Sequence, residues 1–139
     1  MNLLDVNVWL ASSWRNHASH DRVSAWIVEA SDGLGLCRVT QMGFLRLTTL
    51  PAIAGTDTLT RRAAWLALDE LRAQPNVAWL AEPEGLEHAW RTMSASDDHS
   101  HQLWTDDYLA AFAQSAHLPL VTLDRSFVKR YPSVRVEVI

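Results

Sequence analysis

Leu3-Leu4-Asp5-Val6-Asn7-Val8-Trp9-Leu10 is the stretch whose reading decides the fold. An apolar run so near the N-terminus reads as a short strand buried on both faces, the pattern of a parallel sheet covered by helices. Asp5 interrupts it, and a helical segment over 6–13 follows directly. Open α/β sheets place ligands in the crevice outside the carboxyl ends of their strands, so Asp5 stands where a ligand-binding carboxylate belongs. Asp is also a favoured N-cap, and this stretch alone leaves cap and ligand equally open.

The rest of the chain continues the alternation. Ser19 to Ala30 carries Val23, Trp26, Ile27 and Ala30 at helical spacing, with Ser19 as the expected cap. Leu34 to Val39 reads as a second strand and Thr40 to Thr49 as a helix, with Gln41, Phe44, Leu45 and Thr48 on one face. Pro51 and Gly55 mark a loop. Thr58 or Thr60 caps a helix reaching about Gln74, with Ala64, Ala67, Leu68 and Leu71 inward. Val77 to Leu80 is a strand, Glu84 to Ala95 a helix, and Ser94 to Gln102 a polar loop. Thr105 is the expected cap of a helix over 106–116, followed by strands at 119–123 and 134–139 around a short helical turn at 125–130. Strands alternating with helices give an α/β/α arrangement around a mainly parallel sheet of about five strands. No repeat or linker divides the 139 residues, which are read as one domain.

Composition narrows the function classes. Hydrophobic residues make up 48% and charged residues 20%, values of an ordinary globular chain rather than a disordered one. A net charge of −4 argues against coating nucleic acid by bulk charge, but not against nucleic-acid chemistry in an acidic site flanked by arginines. Lys129 is the only lysine, and Arg is the better partner for bidentate phosphate contacts. With one cysteine, Cys37, no disulfide can form within the chain, and no secretory signal or membrane span is evident, so a cytoplasmic protein is expected. Trp9, Trp14 and Trp65 suit either core or interface.

Three carboxylates converge on strand ends or helix starts: Asp5, Asp106 and Asp124. At 100° per residue Asp106 borders the Leu109–Ala113 stripe, while Asp107 points away with Ala111 and Gln114, so Asp106 is expected inward and Asp107 in solvent. Inward carboxylates without cations repel one another, and a hard divalent ion such as Mg²⁺ or Mn²⁺ would pair with them. The competing reading makes each Asp a separate cap. Asp97-Asp98-His99-Ser100-His101 lacks metal-site spacing and reads as a solvated loop, from which His101 could reach RNA. Arg46, Arg61, Arg62, Lys129 and Arg130 are phosphate-contact candidates, with plain surface the competing reading for each.

The ordered set Leu-Leu-Asp-Val-Asn (3–7), Thr-Gln-Met-Gly-Phe-Leu-Arg (40–46), Trp-Thr-Asp-Asp-Tyr-Leu-Ala-Ala-Phe-Ala (104–113) and Leu-Val-Thr-Leu-Asp-Arg-Ser-Phe (120–127) resembles PIN-domain ribonucleases. Within them it is most similar to the VapC toxins of bacterial toxin–antitoxin systems. The resemblance implies a Mg²⁺- or Mn²⁺-dependent endoribonuclease acting on tRNA or rRNA, working as a homodimer and held inactive by a VapB-type antitoxin. It assigns Asp5, Asp106 and Asp124 to metal binding and catalysis, with Asn7 and Thr122 in support. Gln41 falls where the family's second acid is expected, which removes one negative charge from the set and leaves Gln41 as a weaker fourth partner in catalysis, a helix-capping amide being the competing reading. Two alternatives remain at this stage. One is a phosphatase of the haloacid dehalogenase type, which would need a second Asp where Asn7 stands. The other is a catalytically weak PIN-like module that binds RNA or protein.

Overall fold

A computed structural model describes residues 1–139. Five three-residue strands, β1 (Asn2–Leu4), β2 (Leu34–Leu36), β3 (Val77–Trp79), β4 (Leu120–Thr122) and β5 (Val136–Val138), form one sheet in the order β3-β2-β1-β4-β5. Every pairing is parallel, with Leu3 opposite Gly35 and Leu120, and Leu36 opposite Trp79. The chain moves outward from β1 to β2 and β3, then returns past β1 to β4. The β1–β4 boundary is therefore the point where strand order reverses, and the crevice above it is where such sheets bind ligands.

Strand alternation divides the core into two. Leu3 and Leu120 face one side with Leu109, Phe112 and Phe127, whereas Leu4 and Val121 face the other with Val8, Trp9, Phe44 and Leu68. The first side is covered by α6 (Leu86–Ser94), α7 (Leu103–Ala116) and α8 (Ser126–Arg130). The second is covered by α1 (Val6–Ser13), α2 (His20–Glu29), α3 (Arg38–Thr48) and α5 (Arg61–Arg72). This is the expected three-layer α/β/α architecture. Trp9 lies in the core at 1% exposure, while Trp65 is 49% exposed.

Several local expectations are corrected. β2 stops at Leu36, because Thr40 Oγ1 accepts from the Cys37 amide at 3.0 Å and starts α3 early. The Pro51–Gly55 loop is a short helix, α4 (Pro51–Ala54), followed by a 3₁₀ turn, since proline at the first helical position costs no backbone bond. Thr60, not Thr58, caps α5 through the Ala63 amide at 3.1 Å. Thr105 lies inside α7 rather than capping it, and Ser19 precedes α2 without a side-chain capping bond.

The largest correction concerns Asp107, expected in solvent and found 8% exposed. Residues 107–113 of α7 are buried all round, because the helix lies between the sheet, α6 and the segment after β4. A periodicity argument presumes one wet face, and this helix has none over two turns. The Tyr131 hydroxyl donates to Asp107 Oδ1 at 2.5 Å and satisfies the buried carboxylate.

Candidate active site in the switch-point crevice

Asp5 follows β1 directly, its backbone N–H bonded to the Val121 carbonyl of β4 at 2.9 Å. Its backbone is extended (φ −66°, ψ 157°), the conformation of an N-cap, and Oδ1 accepts from the Val6 amide at 2.6 Å. Oδ2 accepts from Thr122 Oγ1 at 2.9 Å. Cap and site residue are thus one group: the cap fixes the carboxylate's direction, and Thr122 fixes its second oxygen. The same Thr122 hydroxyl accepts from the Asp124 amide at 3.0 Å, so one buried side chain ties the ends of β1 and β4 together. Asp124 is held by Ser126, whose amide and hydroxyl donate to its two oxygens at 2.8 and 2.7 Å.

Asp106 approaches from the first turn of α7. Arg130 Nη1 donates to its Oδ2 at 3.0 Å, and Arg130 Nη2 donates to Ser126 Oγ at 3.0 Å. Asp106, Arg130, Ser126 and Asp124 therefore form a continuous chain of polar contacts. The Asp106 and Arg130 side chains are 27% and 32% exposed, so the pair is neither dry nor freely solvated. Arg130, expected as a loose RNA contact, is engaged inside the acidic site. Lys129, Arg46 and His101 are exposed, with no hydrogen bond or ion pair from their side chains.

The electrostatics follow the geometry. Burial pushes the Asp5 carboxyl above its ordinary range, and its bonds to Thr122 and Val6 offset that only in part. Asp106 is pushed up to about 6, first by burial and then by the Asp5 charge, with Arg130 pulling the other way. Asp124 is held below its ordinary range by its two bonds from Ser126. Mutual repulsion thus links Asp106 to both Asp5 and Asp124, which places the three acids in one field.

A groove of about 750 Å³ opens over this field, lined by Asp5, Asn7, Asp106, Thr105, Arg46, Arg61, Met42 and Trp65 among others. Its wall is the close crossing of α1 and α3: a Cβ added at Gly43 would lie 2.6 Å from Val6 Cγ2. Gln41 does not line the groove. It is 3% exposed, inward as its helical position predicts, but its Oε1 accepts from Arg38 Nη1. No hydrogen bond joins it to Asp5, Asp106 or Asp124.

The donors suit a hard divalent cation. They are carboxylate oxygens, two of them facing one groove and lacking enough positive charge, and Mg²⁺ is commonly held by one or two carboxylates with water completing its shell. In this conformation no three Asp, Glu, His or Cys side chains close around one point, so the arrangement fits an open, hydrated site and not a closed protein cage.

Sequence reasoning missed Ser126 and Tyr131. Ser126 had a visible signal, because an Asp followed two residues later by Ser is a turn pattern in which the Asp accepts the later amide. Tyr131 had none, since its partner Asp107 lies 24 positions away.

Comparison with known proteins agrees with this architecture. The PIN-domain family profile matches residues 3–131. Ribonuclease VapC41 of Mycobacterium tuberculosis is 36% identical over 135 residues, spanning 93% of this chain and 92% of that protein. Ribonuclease VapC44 of the same species is 33% identical over 131 residues, spanning 89% and 86%. The structure of VapBC2 from Rickettsia felis, bound to a DNA fragment from its promoter, superposes with a TM-score of 0.71 at 10% identity over 99% of this chain and 98% of that one. The sarcin–ricin-loop-cleaving toxin VapC20 of M. tuberculosis gives 0.69 at 17% identity over 93% and 94%.

Proposed function

The chain belongs to the PIN-domain family, among its VapC ribonucleases, and on that premise we propose that the switch-point crevice hydrolyses RNA phosphodiester bonds with the help of a divalent cation. The observation that carries the reading is the meeting of Asp5, at the end of β1, and Asp106, from α7, on one groove of nucleotide-accommodating size. Asp124, beyond β4, lies in the same electrostatic field though outside the groove lining. Asp5 and Asp106 would hold Mg²⁺ or Mn²⁺, with Asp124 adding negative charge behind them. Bound there, the cation would supply an acidified water and charge stabilisation at phosphorus.

The chain's own residues do the positioning. Thr122 keeps Asp5 Oδ2 fixed beside the groove that Asp5 lines. Ser126 orients Asp124 and is itself braced by Arg130. Asn7, exposed at the start of α1, offers an amide to water or a phosphate oxygen at the groove mouth. Arg46 and Arg61 line the same groove without ion-pair partners and are placed to receive the phosphates beside the broken bond. Arg130 is the internal counter-charge of Asp106 while no cation is bound.

The relatives support a toxin–antitoxin setting. The protein is a toxin of a toxin–antitoxin pair, neutralised by a cognate VapB-type antitoxin, and we place it in the cytoplasm as a homodimer acting on tRNA or rRNA. No helix is long and apolar enough to cross a membrane. Asn7 in place of a second aspartate, together with family membership, sets the phosphatase alternative aside.

Purified protein incubated with total tRNA and Mg²⁺ tests the chemistry. The parent is expected to generate discrete fragments, EDTA to stop it, and Asp5→Asn to lose on the order of 10²-fold or more in rate. Cleavage in EDTA at the parental rate would remove the cation from the mechanism. Cleavage by Asp5→Asn at the parental rate would remove the crevice.

A further inference from the structure

Gln41 makes its side-chain hydrogen bond outside the acidic cluster, to a second cluster. Its Oε1 accepts from Arg38, and the Arg38 guanidinium lies 4.6 Å from the centre of the Trp79 ring. Arg72, in the last turn of α5, places its guanidinium 5.6 Å from the same ring. Trp79 is 40% exposed, and both arginines are exposed. The chain's ion pairs engage Arg91 and Arg130 and neither of these arginines. The acid nearest along the chain from β3, Glu82, accepts a hydrogen bond from Tyr108 instead. Two guanidinium groups without an ion-pair partner thus stand over one aromatic ring on a protein of net charge −4.

Helix stability does not explain Arg38. It is the first residue of α3, where the helix dipole disfavours a cation, and the same helix end favours an anion. Its position is nevertheless built, by a buried amide on one side and an indole on the other. The place is informative too. Trp79 is the last residue of β3 and Arg38 stands two residues beyond β2, so both lie at the carboxyl edge of the sheet, the edge that carries Asp5. β3 is two strands from β1, a separation of about 10 Å. A polynucleotide with one phosphate over the acids would carry a neighbouring stretch of backbone across this cluster.

We propose that Arg38 and Arg72, mounted on Trp79, form a phosphate-binding platform for the RNA strand flanking the cleaved bond, with Gln41 as the residue that positions Arg38. The occupant is RNA backbone because the platform offers two guanidinium groups over an exposed aromatic ring, and phosphate is the anion a ribonuclease must hold on both sides of its cut. The inference rests on the ribonuclease reading above and extends its binding surface away from the catalytic groove.

The test measures binding of a fluorescein-labelled, mixed-sequence, 20-nucleotide RNA by anisotropy in EDTA, which separates binding from cleavage. The parent, the double variant Arg38→Gln/Arg72→Gln and the single variant Gln41→Glu are titrated across a range of salt. The double variant is expected to raise Kd roughly tenfold at low salt. Its salt slope should fall by about 0.7 for each phosphate that is no longer neutralised. Gln41→Glu, which neutralises Arg38 in place, should weaken binding in the same direction. Its Mn²⁺ affinity by calorimetry should stay parental, whereas a metal-site residue gaining a charge there would tighten it. Unchanged thermal melting separates these effects from unfolding. Double-variant binding within twofold of the parent at equal salt slope would overturn the platform, leaving the surface to a protein partner and the catalytic reading intact. A parent that neither binds nor cuts RNA would overturn both.

Discussion

The sheet carries two polar clusters on its carboxyl edge, and they are built with opposite sign. Over β1 and β4, Thr122, Ser126 and Arg130 hold carboxylates together, and burial, then the Asp5 charge, pushes Asp106 up to about 6. Over β2 and β3, two arginines gather on Trp79, with a neutral amide supporting Arg38. The acidic cluster sets one arginine against three carboxylates and is shaped to receive a further cation. The basic cluster lacks anions and is placed where a polyanion would pass. Gln41 belongs to the second, although its place in the chain suggests the first. Gln41 takes its place from Arg38 of its own helix, which lies against Trp79 of β3.

Breaking the acidic cluster should have the largest effect. Besides the loss of RNA cleavage expected for Asp5→Asn, removing Tyr131's hydroxyl tests the support behind it. Tyr131→Phe leaves the buried Asp107 without its donor and should lower stability by about 1–3 kcal/mol in a denaturant titration. A variant as stable as the parent would mean that water takes the hydroxyl's place.

A smaller effect is expected at the boundary between the two signs. Arg130→Met frees Asp106 from its internal counter-charge, so calorimetry should show Mn²⁺ binding tightened by roughly fivefold, in keeping with a part-exposed ion pair. The metal-free protein should melt at a slightly lower temperature. Weaker Mn²⁺ binding would show instead that Arg130 holds Asp106 in its ligating position.

The smallest effect is a pH dependence. Asp106 must be ionised to bind a cation, so Mn²⁺ affinity should rise with pH through about 6 and level off above it. Stability of the metal-free protein should run the other way. A carboxyl whose folded pKa is raised binds its proton more tightly in the native state than in the unfolded chain. Its stabilising contribution is therefore complete below the unfolded value and is lost as pH rises from about 4 to about 6. Mn²⁺ affinity independent of pH across this window would place the cation away from Asp106.

The same contrast separates what the sequence reveals from what it hides. Asp5 and Asp124 were legible because both follow short apolar strands, and a parallel sheet sends all such ends to one side. The element order and the two-faced core were legible for the same reason. Asp107 was misplaced because helical periodicity describes a helix with one wet face, and α7 is enclosed for two turns. Gln41 was correctly turned inward, yet what it meets depends on Arg38 lying against Trp79, a contact set by the pairing of β2 with β3. The Arg130–Asp106 bond spans 24 positions and likewise leaves no local trace. Residues whose role comes from their own element could be read; those whose role depends on a contact between distant elements could not.

The central claim is that the β1–β4 crevice cuts RNA, and mapping new 5′ ends in cellular RNA after brief expression tests it most directly. Parent protein should produce a small set of recurrent new ends in structured RNA, and Asp5→Asn, expressed to the same level, should produce none of them. The same ends appearing with Asp5→Asn would contradict the account.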